Sequence, residues 1–159
     1  MGQGGGGGPN SQKSGAKKFE NFFKNLKAVK DKQLLPCVVF FFSRAQVEAL
    51  AIESEDKMNF IGDFERVKIK EFKKNALNRL AEVDRELPQI QTLCKLIDRG
   101  IGFHHAGMIP LLKEMVEILF TDGLLKVVFA TSTFAIGLNM PARCVIFAQS
   151  QKINGEKSA

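Results

Sequence analysis

Two kinds of apolar pattern alternate along this chain of 159 residues. A continuous apolar run occurs at 36–42 ("PCVVFFF"), which is typical of a strand covered on both faces, as in parallel sheets, and the segment 124–130 ("LLKVVFA") predicts another strand. Shorter runs at 101–105 ("IGFHH") and 143–148 ("RCVIFA") predict two further strands. Because helical patterns separate most of these runs, the sequence predicts an α/β fold: an open parallel sheet with flanking helices and right-handed crossovers.

In the segments before and between these strands, apolar residues recur three or four positions apart, which predicts amphipathic helices. The predicted helices cover 19–35, 44–54, 63–83, 88–99 and 111–120. Ser43 is the expected N-cap of the second helix, and Pro88 is expected to open the fourth. The third is highly charged and is interpreted as a solvent-facing support. This helix is predicted from the spacing of Phe64, Val67, Phe72, Ala76, Leu80 and Val83.

Composition separates the N-terminal segment from the rest. Residues 1–18, "MGQGGGGGPNSQKSGAKK", are almost free of apolar side chains, which predicts a flexible linker ahead of a domain at 19–159. The net charge is +6, but residues 1–35 hold seven lysines against Glu20 and Asp31, or +5, which leaves +1 for the remainder. The basicity therefore says little about the domain itself. The lysines are interpreted as a solvated linker with diffuse attraction to phosphate.

Cysteine usage and hydropathy bear on the compartment. Cys37, Cys94 and Cys144 lie in separate apolar segments, which favours reduced thiols in an intracellular protein. The longest apolar run, near Leu34 to Phe42, is too short to span a bilayer, and glycines occupy the place where a signal peptide would be apolar. We expect a soluble protein without a membrane partner.

Candidate chemistry lies at the predicted strand ends. In open α/β sheets, ligands bind beyond the carboxyl ends of the strands, where loops and helix N-termini converge. Three such segments combine small residues with hydrogen-bond donors: Ser43–Arg44, His104–Gly107 and Ala130–Thr133. Donors that a backbone can approach closely suit a polyanionic strand, so the sequence predicts contacts to nucleic-acid phosphates at this edge.

Several motifs in this order resemble one family. The segment "GIGFHHAGMIPLLKEMVEILFTDGLLKVVFATSTFAIGLNMPARCVIF" closely resembles the second RecA-like domain of exosome-associated DExH-box RNA helicases, the superkiller and nuclear-exosome branch of superfamily two. "LPCVVFFFSR" is similar to the motif IV strand of that family, "HHAG" to its histidine-pair loop, and "FATSTFAIGLNMPAR" to its motif V. The resemblance covers roughly residues 35–153, and it implies a RecA-like domain that is incomplete at its C-terminus.

The resemblance also implies functions for single residues. In such helicases this domain closes over ATP and Mg²⁺ bound to a first RecA-like domain while both domains hold single-stranded RNA. The implied RNA-binding residues are Ser43, Arg44, His105, Ala106, Gly107, Thr131, Ser132 and Thr133. Gly137 and Asn139 would face ATP, with Asn139 near the ribose. The implied partners of the parent protein are the RNA exosome and its cofactor complex.

The strings "FFFSR" and "DRELPQI" favour the superkiller type within this family, which implies a cytoplasmic protein, with the nucleus as the alternative. The chain also departs from the family pattern. Ser132 stands where the family usually has Glu, which puts any polar contact there in doubt. The arginine-bearing motif VI is expected after the last strand, and no GxxxxGK[ST] phosphate loop or acidic metal-binding box occurs. No catalytic residue is therefore assigned.

Simpler interpretations stay open for several residues. The histidine pair at 104–105 is also compatible with a metal site that includes Cys94 or Cys144, although adjacent strand residues point to opposite faces. One imidazole is expected to pack inward and the other to face the RNA. The hydroxyls at 131–133 are also compatible with a solvated strand end, and Asn139 with a turn residue that bonds its own backbone.

Two other functions compete with a helicase fragment that unwinds RNA for degradation. One is a non-enzymatic nucleic-acid-binding half-domain, against which an exposed sheet edge counts because such edges promote aggregation. The other is a DNA helicase of the same superfamily, because contacts to a phosphate backbone do not distinguish RNA from DNA.

The isolated chain is expected to have no RNA-stimulated ATPase activity, because the elements that cradle phosphates and hold Mg²⁺ in phosphoryl transfer are not found in it. Phosphate release by the purified chain, with and without single-stranded RNA, checks this expectation. Clear turnover that follows the chain through purification would contradict it.

Overall fold

The computed structural model describes residues 10–131, 134 and 141–148. The chain divides into two compact units, 1–33 and 34–159. In the first unit, helix α1 covers Asn10–Asp31, so it begins nine residues before the predicted start at Phe19. The residues between Asn10 and Phe19 include Gln, Lys and Ala, whose helix propensities are high enough to tolerate Gly15. The linker predicted at 1–18 and the domain boundary at 18–19 stay predictions, although the helix already begins at Asn10.

The second unit contains four strands and five helices among the described residues. In chain order these are β1 (Cys37–Phe40), α2 (Arg44–Glu55), α3 (Asp63–Leu77), α4 (Glu82–Arg85), α5 (Pro88–Ile97), β2 (Ile101–His104), α6 (Pro110–Thr121), β3 (Val127–Ala130) and β4 (Cys144–Phe147). The predicted strands are confirmed, each as a four-residue core of the predicted run. Pro88 opens α5 as expected.

The four strands form one parallel sheet in the order β2-β3-β1-β4. In the register of this sheet, Ala130 lies opposite both Phe40 and His104, and Phe40 lies opposite Phe147. The last residues of all four strands therefore form a single row. The predicted α/β class and the open parallel sheet are both confirmed.

The core is built on β1, β2 and β3, which are buried at every position. Helices α2, α5 and α6 contact β2, and α2 also contacts β3. The helices bury aliphatic side chains, each of which stabilises the fold by roughly 1.5–3 kcal/mol. Those of α5 and α6 include Leu93, Leu96, Ile97, Leu112, Val116 and Leu119. Strand β4 is the outermost strand next to β1, and its Val145 and Phe147 are exposed. The ring of Phe147 stacks on that of Phe40, with 5.4 Å between the ring centroids.

The charged helix is shorter than predicted. Helix α3 ends at Leu77 rather than near residue 83, and it buries Ile69 and Ala76. Phe64 and Val67, two of the residues whose spacing predicted the helix, are 76% and 67% exposed. The helix predicted across residues 63–83 is therefore confirmed only as far as Leu77.

The break after α3 is held by backbone bonds and one side chain. The N–H of Leu80 donates to the carbonyl of Leu77 at 3.0 Å, which tightens the last turn. The guanidinium of Arg85 donates to the carbonyl of Leu80 from Nε (3.2 Å) and Nη2 (3.1 Å). That carbonyl is then occupied, and the short helix α4 follows with Val83 exposed.

The three cysteines are free, and Cys37 is buried opposite Cys144 in the β1–β4 register. Burial, with the neighbouring Cys144 thiol, raises the pKa of Cys37 to about 12, so this thiol stays protonated and unreactive at neutral pH. In the part of the chain that the structure describes, no helix is long and apolar enough to cross a bilayer.

Two phenylalanines of opposite exposure test this core. Replacing Phe129, fully buried on the central strand β3, by Ala should lower the free energy of unfolding by about 3–5 kcal/mol. Replacing Phe64 by Ala should cost less than about 1 kcal/mol, because its ring is exposed and what it loses is a contact with the Lys68 ammonium, which lies 4.6 Å from the ring centroid. Urea titration of the full chain measures both values. Equal costs for the two variants would mean that α3 does bury Phe64.

Candidate nucleic-acid interface

The carboxyl ends of the strands form one edge of the sheet, and the hydrogen-bond ladder continues just beyond them. The N–H of Phe41 donates to the carbonyl of Ala130 at 2.9 Å, and the N–H of Thr131 donates to the carbonyl of His104 at 3.1 Å. These bonds fix the points at which the chain leaves the sheet. The loops after β1, β2 and β3 therefore start side by side, where open α/β sheets bind ligands.

Ser43 and Arg44 lie where β1 gives way to α2. Ser43 takes the predicted N-cap position, with φ −111° and ψ 132°, and its carbonyl accepts the N–H of Val47 at 3.2 Å. Its hydroxyl makes no capping hydrogen bond. Arg44 is exposed and forms no ion pair with the described residues. The first-turn N–H groups of a helix lack partners within the helix and attract anions, so α2 presents them beside a guanidinium.

His105, Ala106 and Gly107 form the turn after β2. The His105 imidazole is only 4% exposed, and its Nε2 lies 2.6 Å from Oε1 of Glu48 on α2. The N–H of Gly107 donates to Nδ1 of the same ring at 3.0 Å. Ala106 and Gly107 are exposed. The turn therefore offers its backbone to solvent while both ring nitrogens of His105 are occupied inside.

His104 is the last residue of β2 and is 5% exposed. Its Nε2 lies 2.9 Å from Oε1 of Glu117 on α6, and the ring of Phe134 lies 4.9 Å away. Nδ1 has no hydrogen-bond partner among the described residues. Burial lowers the pKa of His104 below its usual value of 6.5, although the hydrogen bond with Glu117 and its charge act in the opposite direction.

The two histidines are thus used differently from the sequence-based expectation. One imidazole was expected to face the RNA, but both are buried, because each hydrogen-bonds a glutamate of a different helix. Neither histidine belongs to a metal-binding group: the described residues contain no cluster of three or more His, Cys, Asp or Glu side chains that could hold an ion.

Thr131 follows β3 directly and is half-buried. Its N–H extends the ladder to β2, and its carbonyl accepts the N–H of Phe134 at 3.1 Å. The other residues inferred for this segment, Ser132 and Thr133 for RNA and Gly137 and Asn139 for ATP, lie outside the described residues. Of the ten inferred site residues, the structure therefore brings six to one edge: Ser43, Arg44, His105, Ala106, Gly107 and Thr131.

Sequence reasoning missed three residues at this edge. Glu48 and Glu117 hold the histidines, and Phe42 extends its ring into solvent directly before Ser43. The only local signal for Glu48 is its position one helical turn after Arg44, which places both on one face of α2. The exposure of Phe42 has no such signal, because Phe42 closes a continuous apolar run whose other residues are mostly buried.

Comparison with known proteins gives a consistent set of relatives, although no family model matches the chain. The chain is 46% identical over 144 residues to the ATP-dependent RNA helicase mtr4 of Schizosaccharomyces pombe, a match that covers 91% of this chain and 13% of that protein. It is 42% identical over 145 residues to the Exosome RNA helicase MTR4 of Homo sapiens, covering 91% of this chain and 14% of that protein.

A third relative represents another named helicase. The chain is 45% identical over 127 residues to the Antiviral helicase SKI2 of Saccharomyces cerevisiae, covering 80% of this chain and 10% of that protein. The chain therefore matches only 10–14% of the length of these relatives, so each similarity concerns one region of a much longer protein.

The parallel sheet, with its donor-bearing carboxyl edge, has the architecture of part of a RecA-like α/β domain. The relatives identify one family within this class of fold, because each is 42–46% identical to the chain over 80–91% of its length. The chain belongs to the exosome-associated DExH-box RNA helicase family.

The lowered pKa of His104 predicts a pH-dependent stability. Between that lowered pKa and 6.5 the unfolded chain binds more protons than the folded one, so the free energy of unfolding should fall as the pH drops through this window. His104→Phe should remove this part of the slope. Glu117→Gln should steepen it, because the group that raises the pKa is lost. Urea titrations at several pH values from about 7.5 to 5.5 measure the effect. Parallel curves for the wild-type chain and His104→Phe would contradict it.

Proposed function

We propose that this chain is part of an ATP-dependent RNA helicase, in which its carboxyl edge grips the backbone of single-stranded RNA. The parent protein would use ATP hydrolysis to move along RNA, open duplexes and feed RNA to the exosome for degradation. The observation that carries the proposal is the convergence of Arg44, the exposed turn at 106–107 and Thr131 on one row of strand ends.

The chemistry of this edge supports phosphate as the group that is bound. A guanidinium can donate two parallel hydrogen bonds to a phosphate, and the N-terminus of α2 adds backbone N–H donors beside it. Arg44 has no acidic partner among the described residues that would compete for it. Contacts of this kind position a backbone without reading its bases, as a protein that moves along RNA requires.

ATP and Mg²⁺ belong to the complete protein in this proposal. Gly137 and Asn139 are assigned to the nucleotide by family resemblance. The residues that hold Mg²⁺, and most of those that contact the phosphates of ATP, would belong to the first RecA-like domain. What supports ATP use is that the relative from Schizosaccharomyces pombe is named an ATP-dependent RNA helicase.

The proposed partners are single-stranded RNA, the first RecA-like domain of the same parent chain, and the RNA exosome with its cofactor complex. The name Exosome RNA helicase of the human relative supports the exosome as a partner. We propose the cytoplasm as the site of action, from the strings "FFFSR" and "DRELPQI", with the nucleus as the alternative.

Replacing Arg44 by Ala should weaken binding of the full chain to a single-stranded RNA oligonucleotide by about 3- to 10-fold, because one charged contact to phosphate is lost. The slope of log affinity against log salt concentration should become shallower by about 0.7, the value for one phosphate on a single strand. Fluorescence anisotropy at several salt concentrations measures both.

A matched control is Arg66→Ala, which removes the same charge from an exposed position on α3. Arg66 lines a cleft with Asn59 and Arg99, and Arg99 precedes β2, so this cleft lies at the opposite end of the strand. The affinity of the Arg66→Ala variant for RNA should stay within about twofold of the wild-type value, because this variant retains every contact at the strand ends. Equal losses for the two variants would show that net charge, and not the strand-end edge, attracts RNA. A single-stranded DNA probe of the same length tests the DNA-helicase alternative.

A further inference from the structure

The proton positions on His105 follow from its two partners. Nδ1 accepts the N–H of Gly107 at 3.0 Å, so Nδ1 carries a lone pair and the neutral ring has its proton on Nε2. That Nε2–H points at Oε1 of Glu48, 2.6 Å away, in a short, charge-assisted hydrogen bond. A single imidazole therefore connects a carboxylate on α2 to a backbone amide of the exposed turn.

The guanidinium of Arg44 also lies close to this turn. Arg44 and Glu48 are four residues apart on α2, so their side chains leave the helix on one face. A Cβ built on Gly107 would lie 3.0 Å from Nη1 of Arg44 and 3.2 Å from Cε1 and Nδ1 of His105. The glycine is thus needed for close approach: the guanidinium and the imidazole both lie against its bare Cα.

The imidazole at the centre of this connection is buried, whereas the residues on either side of it are partly or fully exposed. The His105 side chain is 5% exposed and that of Glu48 is 40% exposed, while Arg44, Ala106 and Gly107 are exposed. A hydrogen bond whose imidazole is withdrawn from water is stronger than one between two exposed groups, although water still reaches the Glu48 carboxylate. The bond between His105 and Glu48 is therefore suited to hold a surface in place rather than to contact a ligand.

The neighbouring histidine supplies an internal comparison. His104 also bonds a glutamate, Glu117, at 2.9 Å, yet its Nδ1 has no partner among the described residues and its ring packs on Phe134. Glu117 belongs to α6, which does not carry Arg44. Of these two similar pairs, only the one at His105 reaches the exposed turn.

We propose that Glu48 and His105 form a latch that holds Arg44 and the 106–107 turn together as one preorganised phosphate-binding surface. Glu48 is a positioning residue: it acts through His105 and Arg44 and does not itself touch RNA. This inference rests on the proposed function, because it presupposes that RNA binds at this edge. Without the latch, Arg44 and the turn would become ordered only when RNA binds. The conformational entropy lost in that step would lower the affinity for RNA.

The test compares three variants of the full chain by fluorescence anisotropy with the same single-stranded RNA oligonucleotide. Glu48→Ala should weaken binding by about 3- to 10-fold, the range for losing the preorganisation of one or two side chains. Glu48→Gln keeps an oxygen that accepts Nε2–H and should restore most of the affinity. Glu117→Ala, the matched control, should change the affinity by less than about twofold, because its histidine does not reach the turn.

A double-mutant cycle separates positioning from general structure. In an Arg44→Ala background, the further change Glu48→Ala should weaken binding less than it does in the wild-type chain, since one of the two groups that Glu48 positions is already gone. The imidazole 15N shifts of His105 should report Nε2–H in the wild-type chain and in Glu48→Gln, and tautomer exchange in Glu48→Ala. Losses that multiply in the double variant, or a Glu48→Ala chain that binds like the wild type, would overturn the latch.

Gly107→Ala gives an independent check if Glu48→Ala fails to fold. The added methyl group would press on both the Arg44 guanidinium and the His105 imidazole, 3.0 and 3.2 Å from the new Cβ, and so disturb their approach to the turn. It should weaken RNA binding by a similar factor, and an unchanged affinity would contradict the role given to this contact. If the wild-type chain itself does not bind RNA, the proposed function fails. If Arg44→Ala weakens binding while Glu48→Ala does not, only the latch fails.

Discussion

The row formed by the carboxyl ends of four parallel strands is the constraint on which the candidate site depends. Ala130 on the central strand lies opposite both Phe40 and His104, so the loops after β1, β2 and β3 leave the sheet at one level. Because β1, β2 and β3 are buried at every position, a one-residue slip of any of them would invert which side chains meet each layer of helices. Burial of the strands therefore fixes the register, and the register fixes the edge.

The adjacent histidines join this edge to the surrounding helices. A buried imidazole without partners would cost free energy, and each ring here reduces that cost through one glutamate. Since neighbouring strand residues point to opposite faces, the two rings engage α6 and α2 on different faces of the sheet. The edge is thus fixed from both sides, although neither imidazole is presented to solvent. The exposed groups at this edge, among the described residues, include a guanidinium, the backbone of a turn and the ring of Phe42.

The strands and the sheet could be predicted because their signal is local: an apolar run such as 36–42 can be buried in few ways other than as a covered strand. The end of α3 could not, because the apolar spacing continues past Leu77 while the bond from Arg85 to the Leu80 carbonyl does not show in any periodicity. The bond between Glu48 and His105 joins positions 57 residues apart. Its formation depends on the packing of α2 against β2, which one sequence does not reveal.

On the proposed function, the division between buried and exposed groups has a mechanical meaning. A protein that moves along RNA must hold every sequence equally well, so its contacts should be to phosphate and not to base edges. Imidazoles at the surface would add donors and acceptors able to discriminate among bases. Both rings are buried, and one of them helps to place Arg44 against Gly107. The edge thus keeps a charged contact to phosphate without adding imidazole groups that could distinguish one RNA base from another. A turn of small residues beside one fixed guanidinium is therefore better suited to stepping along a backbone than a surface rich in polar side chains.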